Sequence, residues 1–434
     1  MTAATSSEQQ PILPSAGNEK KNSSCVNAKC CMICACLSCL GVLLVVVGAY
    51  YFLVNFVTGI AIDGFVKEQT EWIYENCEGF VNMSNMADTA WWPGCGYNNF
   101  TKPNGCGEPC YSDEWISELR AFDREEKPGR IASYKSRPGK GYEDKDLEVV
   151  TLRGWLLPAA KGKAVHHPPP RIVIQHGFTS NSNKVRQIIM AVILRQLGFD
   201  VLVNNLRDHC YSDNSTARVV EWGHAYPYDL LGAWDYARRD PDGHLGGELP
   251  AAKVGLLGIS MGAFTAVNSF SMEGDVPAAW VDSPPSAPGS VFEQGLGLEM
   301  ASMGISFLGP IVKQPAWKNT EDYAKTKGVD LNEHLPTEML PHGPETKRPF
   351  MIVGNKGDQT VPIEELYKIK GVAEEYPEKY DLSTWVNQGN CHDSSHCLDH
   401  LRLYSEYKAK LCVFWRKAFD MSTEGCQDES ASKL

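Results

Sequence analysis

The stretch that most constrains the fold runs from Val254 to Val267. It begins with the apolar run Val254 to Ile259, which has the length and composition of a buried parallel strand. The run ends in Gly258-Ile259-Ser260-Met261-Gly262, and small and apolar residues that suit a packed helix follow at once. We therefore predict a strand, a tight turn at Ser260 and a helix packed on a sheet.

The residue types at this turn point to nucleophilic chemistry. A serine at a tight strand-to-helix turn is held in strained backbone geometry, and Gly258 and Gly262 give neighbouring chain the room to come close. The helix that follows directs free N–H groups and its positive dipole end at the place where an oxyanion would form. These features predict Ser260 as a nucleophile and the Met261 N–H as an oxyanion donor. The alternative is a Gly-Ser turn that binds nothing.

Composition narrows the class of protein. A chain of 434 residues can form one large or two medium domains. Its formal charge of -12, without clustered Lys and Arg, argues against a nucleic-acid partner. The sequence does not determine the oligomeric state.

The N-terminal part predicts a membrane anchor. Residues 1–36 read as a disordered tail that ends in a cysteine cluster, and residues 37–57 are apolar enough for one transmembrane helix. Lys20, Lys21 and Lys29 precede this helix whereas only Lys67 follows closely, which predicts a cytosolic tail and an exoplasmic or lumenal catalytic domain. A cleaved signal peptide is the alternative.

The cysteines and asparagines of this part predict modifications. The cluster at the membrane face offers four candidates for S-acylation, with a zinc site as the weaker alternative: Cys30, Cys31, Cys34 and Cys36. Residues 58–144 read as a linker with a Cys-rich insert, where Cys77, Cys95, Cys106 and Cys110 would form two disulfides in an oxidising compartment. Acceptor patterns for N-glycosylation stand at Asn82, Asn99 and Asn214.

We predict that residues 145–418 form the catalytic domain and that residues 419–434 form a flexible tail. Apolar strands alternate there with helical patterns at Val185 to Leu197 and Tyr226 to Arg239, which favours a mostly parallel sheet with helices on both faces. The predicted strands are Leu147 to Leu157, Arg171 to Gln175, Phe199 to Leu206, Lys253 to Ile259, Pro277 to Val281, Phe350 to Gly354 and Asp381 to Val386.

A serine nucleophile needs an acid and a base, and both should follow strands later in the chain. Asp358 comes just after an apolar strand and before a helix opened by Pro362, so it is the predicted acid; Asp282 is the alternative. His396 precedes the last helix and is the predicted base, with His392 in the same loop as the alternative. A disulfide between Cys391 and Cys397 is expected to brace this loop in an exoplasmic domain.

The second oxyanion donor is sought where an early strand ends in Gln175-His176-Gly177-Phe178. Gly177 allows the loop to approach the substrate, so we predict the Phe178 N–H as this donor.

Together, these motifs and the Asn205 to Ser212 segment make residues 145 to 418 resemble the α/β-hydrolase superfamily, most closely its serine aminopeptidase-like and esterase branches. Cys210 departs from the glycine usual in that segment. The resemblance implies cleavage of an ester, thioester or amide through an acyl-serine intermediate without cofactor or metal.

The sequence does not determine the substrate or the cellular compartment. The apolar segment between Asp282 and Arg348 predicts a cap, and a lipid or other acyl ester is one candidate substrate. A serine peptidase is an alternative function, and a catalytically dead hydrolase fold used as a binding protein is an alternative of another class. The chain ends in Ser432-Lys433-Leu434, a peroxisomal address, which makes the peroxisome the alternative location.

Overall fold

The computed structural model describes residues 24–66, 117–118, 121–122, 125, 129–388, 396–397 and 399–426. The chain divides into two compact units, Met1–Asn55 and Phe56–Leu434. The predicted disulfides of the Cys-rich insert, the acceptors Asn82 and Asn99, the alternative base His392 and the terminal Ser-Lys-Leu lie outside the described residues.

Helix α1 spans Ser24–Ala61, and a π-helical turn, Ile62–Val66, continues it. No charged residue interrupts the chain between Cys30 and Ile62, so nothing in this stretch favours an end to the apolar helix. Among the described residues, one continuous helical stretch is long and apolar enough to cross a membrane. It runs from Ser38 to Val66 and includes the π-helical turn. This stretch is longer than the predicted 37–57, because the helical backbone continues through the π-helical turn to Val66.

The second unit is built on an eight-stranded sheet. Its strands are β1 Arg130–Lys135, β2 Thr151–Leu157, β3 Arg171–Gln175, β4 Asp200–Asn204, β5 Val254–Ile259, β6 Ala279–Asp282, β7 Arg348–Asn355 and β8 Tyr380–Asn387. Their order in the sheet is β1-β2-β4-β3-β5-β6-β7-β8. Strand β2 pairs antiparallel with β1 and β4, and the remaining neighbours are parallel. This order confirms the predicted mostly parallel sheet.

Helices connect these strands. They are α2 Val185–Gln196, α3 Tyr226–Arg239, α4 Met261–Met272, α5 Pro288–Ser302, α6 Gly309–Thr326, α7 Pro336–Met339, α8 Ile363–Glu374, α9 Asp399–Arg402 and α10 Tyr404–Ala418. Short 3-10 turns and one two-stranded ribbon, Lys140–Gly141 with Lys145–Asp146, complete the described elements. Helices α5 and α6 lie between β6 and β7 in the chain, where the sequence predicts a cap.

Successive side chains of the central strands point to opposite faces of the sheet, and on each face they pack into an apolar core. In β3, Ile172 and Ile174 belong to the core shared with helices α2 and α10, whereas Val173 belongs to the core shared with α3, α4 and α8. Both faces are therefore covered, which explains why these strands read as continuous apolar runs in the sequence.

The sheet begins before the predicted domain boundary at residue 145. Strand β1 lies at the edge and buries only Ala132 and Tyr134 of its six residues, so its sequence alternates and shows no apolar run. It is nevertheless fully paired with β2, from Arg130 opposite Leu156 to Lys135 opposite Thr151. The sequence missed this strand because one of its faces is left to solvent.

Candidate active site

Ser260 lies between the carboxyl end of β5 and the first turn of α4. Its backbone has φ 58° and ψ -122°, a left-handed conformation that a residue with a side chain rarely adopts. The Ser260 N–H donates to the carbonyl oxygen of Asp282 at 2.8 Å, and its own carbonyl accepts from Ala263 and Phe264 at the start of α4. The surrounding backbone therefore holds the strained turn in place.

The two glycines of the turn are required by close backbone approach. A Cβ on Gly258 would stand 2.2 Å from the carbonyl oxygen of Gly262. A Cβ on Gly262 would stand 2.2 Å from the carbonyl oxygen of Gln175, at the end of the neighbouring strand β3. A side chain on Gly258 would thus push the start of α4 away from β5, and one on Gly262 would push it away from β3.

The structure brings Ser260, His396 and Asp358 together, although they are far apart in the sequence. The Nε2 atom of His396 lies 2.9 Å from the Ser260 Oγ, and its Nδ1 lies 2.7 Å from an Asp358 carboxylate oxygen. With the ring proton on Nδ1, the imidazole donates to Asp358 and can accept the Ser260 hydroxyl proton. His396 and Asp358 are buried, and Ser260 is half-buried.

The second oxygen of Asp358 is also bound. It accepts the N–H groups of Thr360 and Val361 at 2.8 and 2.9 Å. Three hydrogen bonds to one carboxylate hold its rotamer. The carboxylate is therefore fixed in orientation toward the imidazole.

The alternative acid, Asp282, makes other contacts. Its carboxylate accepts from the Tyr407 hydroxyl at 2.8 Å and from the Ser283 hydroxyl at 3.1 Å. Burial, and after it the nearby carboxylate of Asp399, raise the Asp282 pKa to about 7. Its role toward Ser260 in the structure is through the backbone, since its carbonyl oxygen accepts the Ser260 N–H.

The predicted oxyanion loop lies directly against the serine. A Cβ on Gly177 would be 3.0 Å from the Ser260 Cβ, so only glycine allows this approach. The Nδ1 atom of His176 lies 2.9 Å from the Gly177 carbonyl oxygen, and the Nε2 atom of the same ring accepts the Leu206 N–H at 3.3 Å. Because the Gly177 carbonyl and the Phe178 N–H belong to one planar peptide, this contact fixes the direction of the predicted donor. The other predicted donor, Met261, is the buried first residue of α4.

His176 is neutral in this position, which sequence reasoning did not establish. Burial, and after it the nearby His209 ring, lower the His176 pKa well below its usual value. The neutral ring keeps one N–H to donate to Gly177 and one lone pair for the Leu206 N–H, as the observed contacts require.

A buried ion pair supports the neighbouring Asn205 to Ser212 loop. The Arg207 guanidinium donates through Nε and Nη2 to the Asp229 carboxylate of α3, at 2.8 to 3.1 Å. Cys210, which replaces a usual glycine, has φ 50° and thus adopts the left-handed backbone that glycine would favour. Cys210 is also disulfide-bonded, which no pattern in the sequence predicted.

The cysteine next to the base contradicts one expectation. Cys397 is a buried free thiol, so the predicted disulfide with Cys391 is wrong. Its Sγ lies 3.5 Å from the His396 Nε2 and 3.9 Å from the Asp282 carbonyl oxygen, facing the interior of the site. The position of Cys397 in the loop of the base suggested a disulfide that braces the loop, but the backbone directs the Cys397 side chain inward.

Other predicted modification sites are only partly described. Cys36 is a free, exposed thiol on α1, while nothing is described of the side chains of Cys30, Cys31 and Cys34. Asn214 is half-buried. A disulfide that sequence reasoning missed joins Cys412 on α10 to Cys426.

Residues 170–339 match a family model described as the alpha/beta hydrolase fold. This segment holds strands β3 to β6, the turn at Ser260 and the cap helices. The strand order and the match together define the class of fold: the chain has the α/β-hydrolase fold, and the match supports a hydrolase.

Solved structures resemble the chain at low identity. An esterase of Pyrococcus furiosus is 18% identical, with a TM-score of 0.47, 67% of this chain and 91% of that one being covered. An acylaminoacyl peptidase of Pyrococcus horikoshii is 16% identical, with a TM-score of 0.44, and the match covers 73% and 46% of the two chains. No curated protein sequence matches the chain.

Proposed function

We propose that this protein is a membrane-anchored serine hydrolase that cleaves an ester, thioester or amide through an acyl-serine intermediate. The observation that carries the proposal is the continuous hydrogen-bonded series from Ser260 through His396 to Asp358. It stands at the carboxyl ends of parallel strands, where ligands of open α/β sheets bind.

In the proposed mechanism the same catalytic groups act first in the acylation of Ser260 and again in its deacylation. Ser260 Oγ attacks the acyl carbon while His396 Nε2 takes its proton, and the tetrahedral oxyanion is bound by the N–H groups of Phe178 and Met261. His396 then gives the proton to the leaving alcohol, thiol or amine as its bond to carbon breaks. Water repeats the sequence on the acyl-serine and releases the acid, with Asp358 holding the imidazole throughout.

The proposed bond is an ester or a thioester, and a serine peptidase that cleaves an amide is the second candidate. An esterase turns over acyl esters in preference to aminoacyl amides of equal size. A panel with both substrate types decides between the two.

The serine mechanism is tested with a fluorophosphonate probe on the full chain in detergent. The wild type should be labelled, and Ser260→Ala should lose the label. Ser271→Ala is a matched control, because Ser271 is a buried serine on the same helix whose hydroxyl donates within the helix to Val267. A labelled Ser260→Ala protein, or a folded wild type that never reacts, would leave the catalytically dead binding protein as the better assignment.

The base is tested with a pair of histidine variants. His396→Ala should lower kcat by orders of magnitude, whereas His392→Ala should have a modest effect. Reversed effects would move the role of base to His392.

We also propose that α1 anchors the chain in a membrane and that the catalytic domain is exoplasmic or lumenal. The lysines before the helix and the disulfide between Cys412 and Cys426 support this orientation, because such bonds persist in oxidising compartments. In eukaryotic cells the protein should lose mass on glycosidase treatment and resist protease in sealed microsomes. Digestion from the cytosolic face, with relocation on deletion of Leu434, would favour the peroxisome.

A further inference from the structure

The end of α1, from Phe56 onward, and the π-helical segment that follows it belong to the second unit and pack inside it. Phe65 and Val66, in the π-helical turn, are 8% and 0% exposed. The Val66 carbonyl oxygen accepts the Val220 N–H at 2.8 Å, and the Asn319 amide of α6 lies 3.3 Å from the Thr58 hydroxyl. The chain between the apolar helix and the catalytic domain is therefore held by the domain itself.

Phe65 is the centre of a group of aromatic rings that we call the aromatic cluster. The ring of Phe65 lies 5.2 Å from Phe178, 5.7 Å from both Trp222 and Phe292, and 5.9 Å from Trp317, measured between centroids. Phe292 and Trp317 belong to the cap helices α5 and α6 and contact each other at 5.2 Å. The cluster thus joins the cap, the oxyanion loop and the segment after α1.

The cluster lies beside the reacting centre. Phe178 carries the proposed oxyanion N–H, and the preceding Gly177 abuts Ser260. Trp222 packs at 5.5 Å on Phe264, which is one helical turn beyond Ser260 in α4. An acyl group bound to the Ser260 Oγ with its oxyanion toward Phe178 therefore has this aromatic surface as its neighbour.

The chemistry of the cluster selects an apolar group. Its five side chains are aromatic and carry no formal charge; Phe178 is partly exposed and the other four are buried. A carboxylate or ammonium would lose its hydration there without gaining a partner, whereas a hydrocarbon chain gains contact with the ring faces.

We propose that the aromatic cluster binds the acyl group of the substrate, that Phe65 is a specificity-determining residue, and that the substrates are esters or thioesters of acids with a hydrocarbon chain. The inference rests on the proposed acyl transfer to Ser260. It gives the segment after α1 a role in substrate choice, in addition to joining the helix to the domain.

The test compares acyl chain lengths in four full-length proteins in detergent micelles: wild type, Phe65→Ala, Phe65→Leu and Ile60→Ala. Ile60 is the matched control, because it lies in the last turn of α1, just before that segment, and is 50% exposed. For p-nitrophenyl octanoate, Phe65→Ala should lower kcat/KM about tenfold, as expected for lost apolar contacts, with acetate changed less than about twofold. Phe65→Leu should fall between, and Ile60→Ala should match the wild type.

Equal losses on octanoate and acetate would overturn the proposal, because Phe65 would then only support the oxyanion loop. Unchanged rates on both substrates would overturn it as well. Phe65→Leu keeps most of the buried volume and gives the same readout if Phe65→Ala does not fold.

A binding measurement separates this proposal from the proposed function. Brominated decanoate, added to the wild type or to Ser260→Ala, should quench tryptophan fluorescence, and Phe65→Ala should weaken its binding about tenfold. Quenching without any fluorophosphonate labelling would retain the acyl site and remove the hydrolase. Labelling without quenching, or quenching that Phe65→Ala leaves unchanged, would retain the hydrolase and remove the role of Phe65.

Discussion

Replacing Asp358 by asparagine tests the geometry of the site through a single proton. One carboxylate oxygen of Asp358 accepts the N–H groups of Thr360 and Val361, and the other accepts from His396 Nδ1. In Asp358→Asn, the amide oxygen must face the two N–H groups, because an NH₂ group there would leave both unpaired. The NH₂ group of the asparagine is then directed at His396 Nδ1.

This arrangement forces the wrong tautomer of the imidazole. His396 Nδ1 can accept the amide hydrogen only if the ring proton moves to Nε2, which lies 2.9 Å from the Ser260 Oγ. A protonated Nε2 cannot take the serine proton, so kcat should fall about 10⁴-fold, equivalent to about 5 kcal/mol of transition-state stabilisation. Binding of substrate should change little, because Asp358 does not reach it in the proposed mechanism.

The assay is hydrolysis of a p-nitrophenyl ester, with the rate of fluorophosphonate labelling as a second measure and thermal unfolding as the control for folding. Asp282→Asn is the matched variant, since its carboxylate is buried nearby but is bound by Tyr407 and Ser283. We expect Asp282→Asn to keep kcat within about tenfold. A larger loss in Asp282→Asn than in Asp358→Asn would refute the reasoning and make Asp282 the acid.

Three further predictions follow from the same contacts. His176→Ala should lower kcat about a hundredfold in ester hydrolysis with little change in KM, because it frees the peptide that carries an oxyanion donor; a rise in KM alone would contradict this. Gly262→Ala should fail to fold or melt far below the wild type, whereas Gly295→Ala, with open space at its Cβ, should change the free energy of unfolding by about 1 kcal/mol or less; equal Tm values would contradict the steric argument. The Asp282 pKa is raised to about 7, so between about pH 4 and pH 7 the folded state holds a proton on this group that the unfolded state has lost, and the contribution of Asp282 to wild-type stability falls as pH rises. The Tm of Asp282→Asn relative to the wild type should therefore increase from pH 5 to pH 8, and a constant difference would show that this pKa is not raised.

The fold could be predicted because the sheet is buried on both faces. Strands such as β3 and β5 are short apolar runs between turn residues, and β3 lies at Arg171–Gln175 as the sequence indicates. The edge strand β1 has a solvent-facing side and therefore shows no such run. Sequence reasoning finds the centre of a sheet of this kind more readily than its edges.

The candidate site was partly predictable for a related reason. In a parallel sheet, the residues that follow the strands meet at one edge, so Ser260, Asp358 and His396 could be nominated by their places after apolar strands. The inward-facing thiol of Cys397 could not be foreseen, because the direction of a side chain in an irregular loop depends on the backbone angles of that loop. Its φ of 51° is a property of the folded loop, not of the residue type.

The sequence by itself determined the apolar helix, the alternation of strands and helices, and the tight turn at Ser260. These features depend on local composition and periodicity, which are written in neighbouring residues. Only the tertiary structure decided that the His396 ring lies between Ser260 and Asp358, and that Phe65 packs against Phe178. Such contacts join residues 38 to 136 positions apart, and they exist only because the sheet and the cap bring distant segments to one place.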